Sequence, residues 1–184
     1  MRPCLALLLS CLSVPALAAS PVAAPSRLPA PWQAKMRSFL QQIIETPSVV
    51  QRGQVPKVAE AVAAQLRAAG FPAEDIQILP YEGLPGDKTA ALLFRWKAER
   101  PTAKPMLVIG HMDVVEAKRE DWKNDPFQFI EKDGYFYGRG SSDMKTGIAA
   151  TTLALAKLRA EGFKPKRDII LFFTGDEETQ QNGA

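Results

Sequence analysis

The sequence has little cysteine: Cys4 and Cys11 are the only two thiols among its 184 residues. Both lie within residues 1–18, which have the pattern of a removable leader, so the rest of the chain has no thiol. Disulfides and thiolate metal sites are thereby excluded from the mature part. A metal ion there can be held only by imidazole and carboxylate groups, which suit zinc and its first-row neighbours.

The sequence also lacks a strong charge of either sign, because 23 basic and 20 acidic residues leave a net charge of +3. It contains no run of lysine and arginine with interleaved aromatic residues. Nucleic acid is therefore not an expected partner. The 46% hydrophobic and 23% charged residues are typical of a globular protein, which excludes the disordered and collagen-like classes. The length allows one domain of modest size.

The N-terminal apolar stretch, Leu5–Val14, is too short for a membrane span, which needs ~20 residues. Arg2 precedes this stretch, and two alanines in an A-x-A arrangement follow it. The pattern predicts a secretory signal peptide over residues 1–18 and export to the periplasm or the medium, without stable membrane insertion after its removal. A lipoprotein leader ending at Leu8–Cys11 is a minor alternative.

Prolines recur at positions 21, 25, 29 and 31, which predicts an extended linker over residues 19–31. Beyond it, apolar residues recur at helical or strand spacing. The predicted helices are Trp32–Ile44, Val55–Ala69 and Thr146–Glu161, and the predicted strands are Asp75–Leu79, Thr89–Trp96, Met106–Gly110 and Asp168–Thr174. A hairpin is predicted over residues 127–137, because its Asp133-Gly134 pair tolerates the positive φ of a tight turn.

This order of strands, hairpin and helices indicates an α/β sandwich. The nearly continuous apolar runs MLVIG and DIILFFT predict strands that are buried on both faces. In open α/β sheets, ligands bind outside the carboxyl ends of the strands. The residues that directly follow these two runs are therefore the candidates for a functional site.

His111 and Asp113 follow the first of these strands. His111 is the only histidine, and a lone histidine is more often structural than a ligand. However, alternation along an extended segment points residues 111 and 113 to the same side. A carboxylate beside a metal-bound imidazole fixes its tautomer and raises its basicity. A polar surface loop is the alternative.

Three acidic residues, Asp176, Glu177 and Glu178, follow the second strand. They would repel one another unless cations or solvent intervene, and a solvated turn is the alternative interpretation. Hydrolysis at a metal ion needs two kinds of carboxylate, one that binds the metal and one that accepts a proton from water. The triplet could supply both.

A glycine-rich loop, Tyr137–Gly147, leads into the third predicted helix. A phosphate-binding loop is the obvious alternative, but Met144 stands where glycine would precede Lys145, and Asp143 would repel phosphate. An acid presented by a loop whose glycines permit close backbone approach fits a metal ligand better.

The segments IGHMDVV, YGRGSSDMKTG and TGDEET, in this order, resemble the aminoacylase and carboxypeptidase type of dizinc metallopeptidases. That family includes glutamate carboxypeptidase, acetylornithine deacetylase and succinyl-diaminopimelate desuccinylase. The resemblance covers residues 32–184, which it identifies as the N-terminal portion of a catalytic domain. It implies a three-layer α/β sandwich with a mixed, largely parallel central sheet, incomplete at the C-terminus.

The resemblance implies a role for each candidate residue. His111, Asp143 and Glu178 would bind two zinc ions, with Asp143 as the bridge, and Co²⁺ or Mn²⁺ are possible substitutes. Asp113 would orient His111, and Glu177 would be the general base. The bond from Asp143 to Met144 is expected to be cis. Thr146 stands where the family often has a second glycine, and this is the one local departure.

Each zinc would be one ligand short, because catalytic zinc usually has about three protein ligands. The resemblance implies that the missing carboxylate and histidine lie downstream. The chain is therefore expected to be truncated, with little activity and weak metal binding alone. The expected substrate is a peptide or an N-acyl amino acid, and the full-length parent is expected to be a homodimer. An N-acyl-amino-acid deacylase and a non-catalytic remnant are the alternatives.

Overall fold

The computed structural model describes residues 28–183. Its helices are α1 (Ala30–Ile44), α2 (Val55–Ala68) and α3 (Lys145–Ala160), and its strands are β1 (Ile76–Glu82), β2 (Lys88–Trp96), β3 (Met106–His111), β4 (Ile130–Lys132), β5 (Tyr135–Tyr137) and β6 (Ile169–Thr174). The predicted signal peptide and residues 19–27 of the predicted linker lie outside the described residues. Helix α1 begins inside that linker, because Pro31 fits the first turn, where its missing N–H is not needed.

In the described part of the chain, four strands form a mixed sheet in the order β1-β2-β6-β3. The α/β class and the mixed sheet are confirmed, but the largely parallel character is not. Strands β1 and β2 are antiparallel because a short loop joins them, and β2 also pairs antiparallel with β6. Within residues 28–183, only β3 and β6 run parallel, as their connection through α3 allows.

The three helices pack on one face of this sheet and share a single hydrophobic core with it. Helix α2 shows why: Val55, Val58, Val62 and Leu66 recur every three or four residues, and all are buried. The helix stops before Gly70, whose φ of +83° suits a C-terminal cap. Burial of each such aliphatic side chain contributes about 1.5–3 kcal/mol.

No helix in residues 28–183 is long and apolar enough to cross a membrane.

The opposite face of the sheet is apolar but open. Leu107 and Ile109 of β3 are 55% and 59% exposed, and Phe172 beside Ile109 is half-buried. The prediction that β3 is buried on both faces is therefore wrong for the described part of the chain. The reason is that all three helices of residues 28–183 share the core on the other face. The third layer of the predicted sandwich is not seen in these residues.

The predicted hairpin is confirmed, with β4 and β5 paired antiparallel. Asp133 and Gly134 have φ angles of +53° and +80°, as a tight hairpin turn requires. The first strand is shorter than predicted and begins at Ile130. The hairpin leads directly into the glycine loop that precedes α3.

Candidate metal centre

The carboxyl ends of β3 and β6 meet at one edge of the sheet, because these strands are parallel neighbours. His111 pairs in register with Thr174, so the residues after both strands leave the sheet side by side. The two strand ends are therefore adjacent, as predicted, and their role as a functional site stays a prediction. The loop before α3 brings Asp143 to the same edge, where it meets His111.

Three predicted ligands, His111, Asp143 and Glu178, converge at this edge. Each offers one ligand atom, and these atoms all lie within 4.8 Å of one another. Nε2 of His111 is 3.1 Å from Oδ1 of Asp143. One imidazole and two carboxylates are a donor set that suits zinc. The residues present therefore fit a metal ion, although the role of each residue stays a prediction.

Asp113 is completely buried and contacts residues at the ends of both strands. The Nδ1–H of His111 donates to the backbone oxygen of Asp113 at 3.1 Å, and the carboxylate lies 3.5 Å from the same nitrogen. Nε2 is thereby turned toward Asp143. The Asp113 carboxylate also accepts the backbone N–H groups of Glu177 and Glu178, at 3.2 and 2.9 Å. The sequence predicted the contact with His111 but not those with the two glutamates.

The three consecutive acids, Asp176, Glu177 and Glu178, do not share one environment. Glu177 and Glu178 turn toward the site, and Oε2 of Glu177 lies 3.9 Å from Nε2 of His111. Burial, with the neighbouring carboxylates, raises the pKa of Glu178. Asp176 is instead fully buried and accepts the hydroxyl of Tyr81 at 2.6 Å. Burial and this hydrogen bond raise the pKa of Tyr81 well above its usual value.

The contacts of Lys145, like those of Tyr81, were not predicted from the sequence. Its side chain is completely buried, and Nζ donates to the carbonyl oxygens of Ile43 and Thr46, both at 2.7 Å. Ile43 lies in the last turn of α1 and Thr46 just beyond it, so the lysine connects the start of α3 to the end of that helix. Burial lowers the pKa of Lys145 to about 7. Its position two residues after Asp143 was the available signal, but nothing in the sequence indicated its partners.

The loop before α3 is also fixed through Met144. Its sulfur accepts the backbone N–H of His111 at 3.2 Å, and the bond from Asp143 to Met144 is cis, as the resemblance implied. A Cβ on Gly110 would lie 2.8 Å from the methyl group of Met144. The absence of a side chain at residue 110 therefore allows this close packing.

Gly140→Ala is expected to destabilise the protein by about 2–3 kcal/mol, the sum of backbone strain and overpacking. Gly140 has a φ of +87°, and a Cβ there would lie 2.9 Å from Cδ of Lys145 and 3.0 Å from Cγ1 of Val114. Gly53 is a matched control, since its φ is +61° and an added Cβ would meet nothing within 4 Å. Gly53→Ala should lose only about 1 kcal/mol. Equal urea-unfolding free energies for the two variants would contradict the packing argument.

The pKa of His111 is expected to measure about 9 in the metal-free protein, against 6.5 for a free imidazole. Burial is the largest single influence and lowers this pKa, but the hydrogen bonds to Asp113 and Asp143 and the charge of Asp113 outweigh it. A raised pKa means that the folded state holds the proton more tightly. The stabilisation is therefore complete below pH 6.5 and is lost as the pH rises toward 9.

His111 is the only histidine, so its imidazole proton resonance needs no assignment. A titration followed by NMR measures its midpoint directly. Asp143→Asn should lower the midpoint, because it removes a negative hydrogen-bond acceptor from Nε2. A wild-type midpoint near the ordinary value would mean that the two carboxylates do not act on the ring.

Residues 107–184 match the model of peptidase family M20/M25/M40. A "Probable succinyl-diaminopimelate desuccinylase" of Staphylococcus aureus (strain MRSA252) is 45% identical over 89 residues, which are 47% of this chain and 22% of the relative. The succinyl-diaminopimelate desuccinylase of Delftia acidovorans is 38% identical over 143 residues, 75% of this chain and 34% of the relative. The chain thus spans about a third or less of the curated relatives that it matches.

Among solved structures, the dipeptidase Dug1p of Saccharomyces cerevisiae superimposes with a TM-score of 0.71 and 26% identity. The match covers 80% of this chain and 33% of that one. The fold of residues 28–183 is therefore one that occurs in hydrolytic enzymes.

Proposed function

This chain is similar to peptidase family M20/M25/M40 over residues 107–184, and we propose that it forms the N-terminal part of a metal-dependent hydrolase of peptide or amide bonds. One observation carries the proposal: an imidazole and two carboxylates converge within 4.8 Å at the carboxyl edge of the sheet. A third acid, Glu177, lies beside them. Metal-assisted hydrolysis uses groups of both kinds, side chains that bind the metal and a carboxylate that accepts a proton from water.

His111, Asp143 and Glu178 would hold the metal, and we propose that the complete site binds two Zn²⁺ ions, with Co²⁺ or Mn²⁺ as substitutes. Such ions polarise a carbonyl group and lower the pKa of water. Asp113 holds the Nδ1–H of His111, so the lone pair on Nε2 is available once that nitrogen is deprotonated. Asp143 is 75% exposed, which leaves a carboxylate oxygen free to serve a second ion.

Glu177 is the proposed general base. Its side chain is exposed and close to Nε2 of His111, so its carboxylate can take a proton from water at the site and return it to the leaving amine nitrogen. Its backbone is held by Asp113, which fixes where that carboxylate can reach. Peptides, as in a carboxypeptidase or dipeptidase, are the proposed substrates, and the full-length parent is proposed to be a homodimer.

An N-acyl-amino-acid deacylase is the second candidate, and the two desuccinylase relatives favour it. Both reactions break an amide bond, so the residues described above serve either one. A comparison of dipeptides with N-succinyl amino acids as substrates separates them. The predicted leader argues for an exported peptidase instead, and we propose export on that ground. N-terminal sequencing of the mature protein tests it, with Ala19 as the expected first residue.

Zinc is expected to raise the melting temperature of the protein by about 5–10 °C at a hundredfold excess over its Kd, because a ligand of the folded state stabilises it by about 2.7 kcal/mol there. Asp143→Asn should remove most of this shift. Thermal unfolding followed by circular dichroism measures both. If zinc leaves the wild-type melting temperature unchanged, the chain is a non-catalytic remnant and the proposed function fails.

A further inference from the structure

We propose that Tyr81 is a positioning residue that fixes Glu177 and Glu178 through Gly175 and Asp176. The inference rests on the proposed function, which assigns those glutamates as base and ligand. Tyr81 lies on β1, at the far edge of the sheet from His111. Its hydroxyl donates to Oδ1 of Asp176 at 2.6 Å and accepts the N–H of Gly175 at 3.1 Å.

Gly175 is held on both sides at the point where the chain leaves β6. Its N–H bonds to Tyr81, and its carbonyl oxygen accepts the buried hydroxyl of Thr89 at 2.8 Å. A Cβ at this residue would meet Thr89, Val55 and the backbone of Ala90 too closely. The chain is therefore pinned just before the two glutamates.

Asp176 closes the loop that contains the glutamates. Besides the Tyr81 hydroxyl, its carboxylate accepts the N–H of Asn182 at 2.8 Å and that of Gly183 at 3.2 Å. Tyr81 thus joins β1 to both ends of the segment from Gly175 to Gly183. A buried carboxylate with several donors is a rigid anchor, since each charged hydrogen bond is stronger than a neutral one.

The glutamates lie between this anchor and Asp113. Asp113 accepts the N–H groups of both residues, so two buried carboxylates hold the segment by its backbone. Without a metal ion, the carboxylates of Asp113, Asp143 and the two glutamates repel one another, and the single charge of protonated His111 offsets this only in part, which favours displacement of the loop. The Tyr81 hydroxyl opposes that displacement. Its removal should therefore make local opening of the backbone at Glu177 and Glu178 more frequent.

Tyr81→Phe is a clean test because it removes one oxygen and keeps the ring. Amide hydrogen exchange in the metal-free protein should become about tenfold faster at Glu177 and Glu178, as expected for one lost hydrogen bond to a charged group. The amide of Ala160, at the C-terminal end of α3, exchanges by local fraying that leaves Tyr81 in place, and its rate should stay within twofold. Tyr135→Phe, which removes an exposed hydroxyl on the hairpin, should change none of the three rates.

Co²⁺ titration, followed by its visible absorption, provides a readout that a purely structural tyrosine would not move. The Tyr81→Phe variant should bind Co²⁺ about tenfold more weakly than wild type, an effect typical of residues that orient metal ligands. Unchanged exchange at Glu177 and Glu178, or equal acceleration at Ala160, overturns the inference. Unchanged Co²⁺ affinity alongside faster exchange also overturns it.

Different results would contradict the proposed metal chemistry and the positioning role of Tyr81. If the wild-type chain binds no Co²⁺ while Tyr81→Phe selectively speeds exchange at the two glutamates, the proposed metal chemistry is wrong and the positioning of the segment stands. If the wild-type chain binds Co²⁺ and the exchange is unaffected, the metal chemistry stands and the role of Tyr81 is wrong.

Discussion

Glu177→Gln is expected to reduce hydrolysis by about 10²–10⁴-fold, the usual contribution of a general base. The amide keeps the size of the side chain but cannot accept the proton from water. Metal content should not change, because Glu177 is not among the three converging ligands. The measurement pairs kcat with metal analysis, in a preparation whose wild-type hydrolysis has been established first.

Glu178→Gln is the matched control, because the same chemical change is made one residue further along. Glu178 does belong to the converging group, so its variant should lose metal affinity together with activity. If Glu177→Gln removes the metal and Glu178→Gln does not, the two roles are exchanged. If Glu177→Gln retains wild-type activity, Glu177 is not the base.

Lys145→Met is expected to lower the free energy of unfolding by about 3–5 kcal/mol. The substitution keeps the apolar length but leaves the carbonyl oxygens of Ile43 and Thr46 without their buried donor. A buried polar group without a partner loses about 1–3 kcal/mol, and two are affected here. Urea unfolding monitored by tryptophan fluorescence measures the loss.

Lys157→Met on the same helix is the control, since Lys157 only pairs with Glu161 near the surface. Surface pairs of this kind contribute about 0.3–0.5 kcal/mol. A loss of similar size in both variants would mean that the two hydrogen bonds of Lys145 contribute no more than an exposed ion pair.

The elements of the fold could be predicted because apolar spacing and turn residues are local signals. Helix α2 and the hairpin turn at Asp133-Gly134 lie where the pattern placed them, to within one residue for the helix. The exposure of β3 could not be predicted in the same way. Its apolar run indicates which side chains the strand could bury, whereas the face that becomes covered depends on where the helices pack.

The site could be predicted in part for the same reason. His111 ends β3 and Glu178 lies four residues after β6, so the positions of these two ligand candidates are visible in the sequence. Tyr81 and Lys145 were missed because their partners lie far along the chain: Tyr81 is 95 residues from Asp176, and Lys145 is 102 residues from Ile43. No local pattern encodes such pairs, which only the folded packing brings together.

The open face of the sheet has a consequence for the behaviour of this chain in solution. Leu107 and Ile109 lie on an edge strand, where backbone groups along one side can template another strand. Natural proteins usually protect such edges with charges, prolines or bulges. The run Met106–Gly110 contains no charged residue and no proline. Self-association should therefore compete with the monomer as concentration rises, and dilute conditions would favour the single chain.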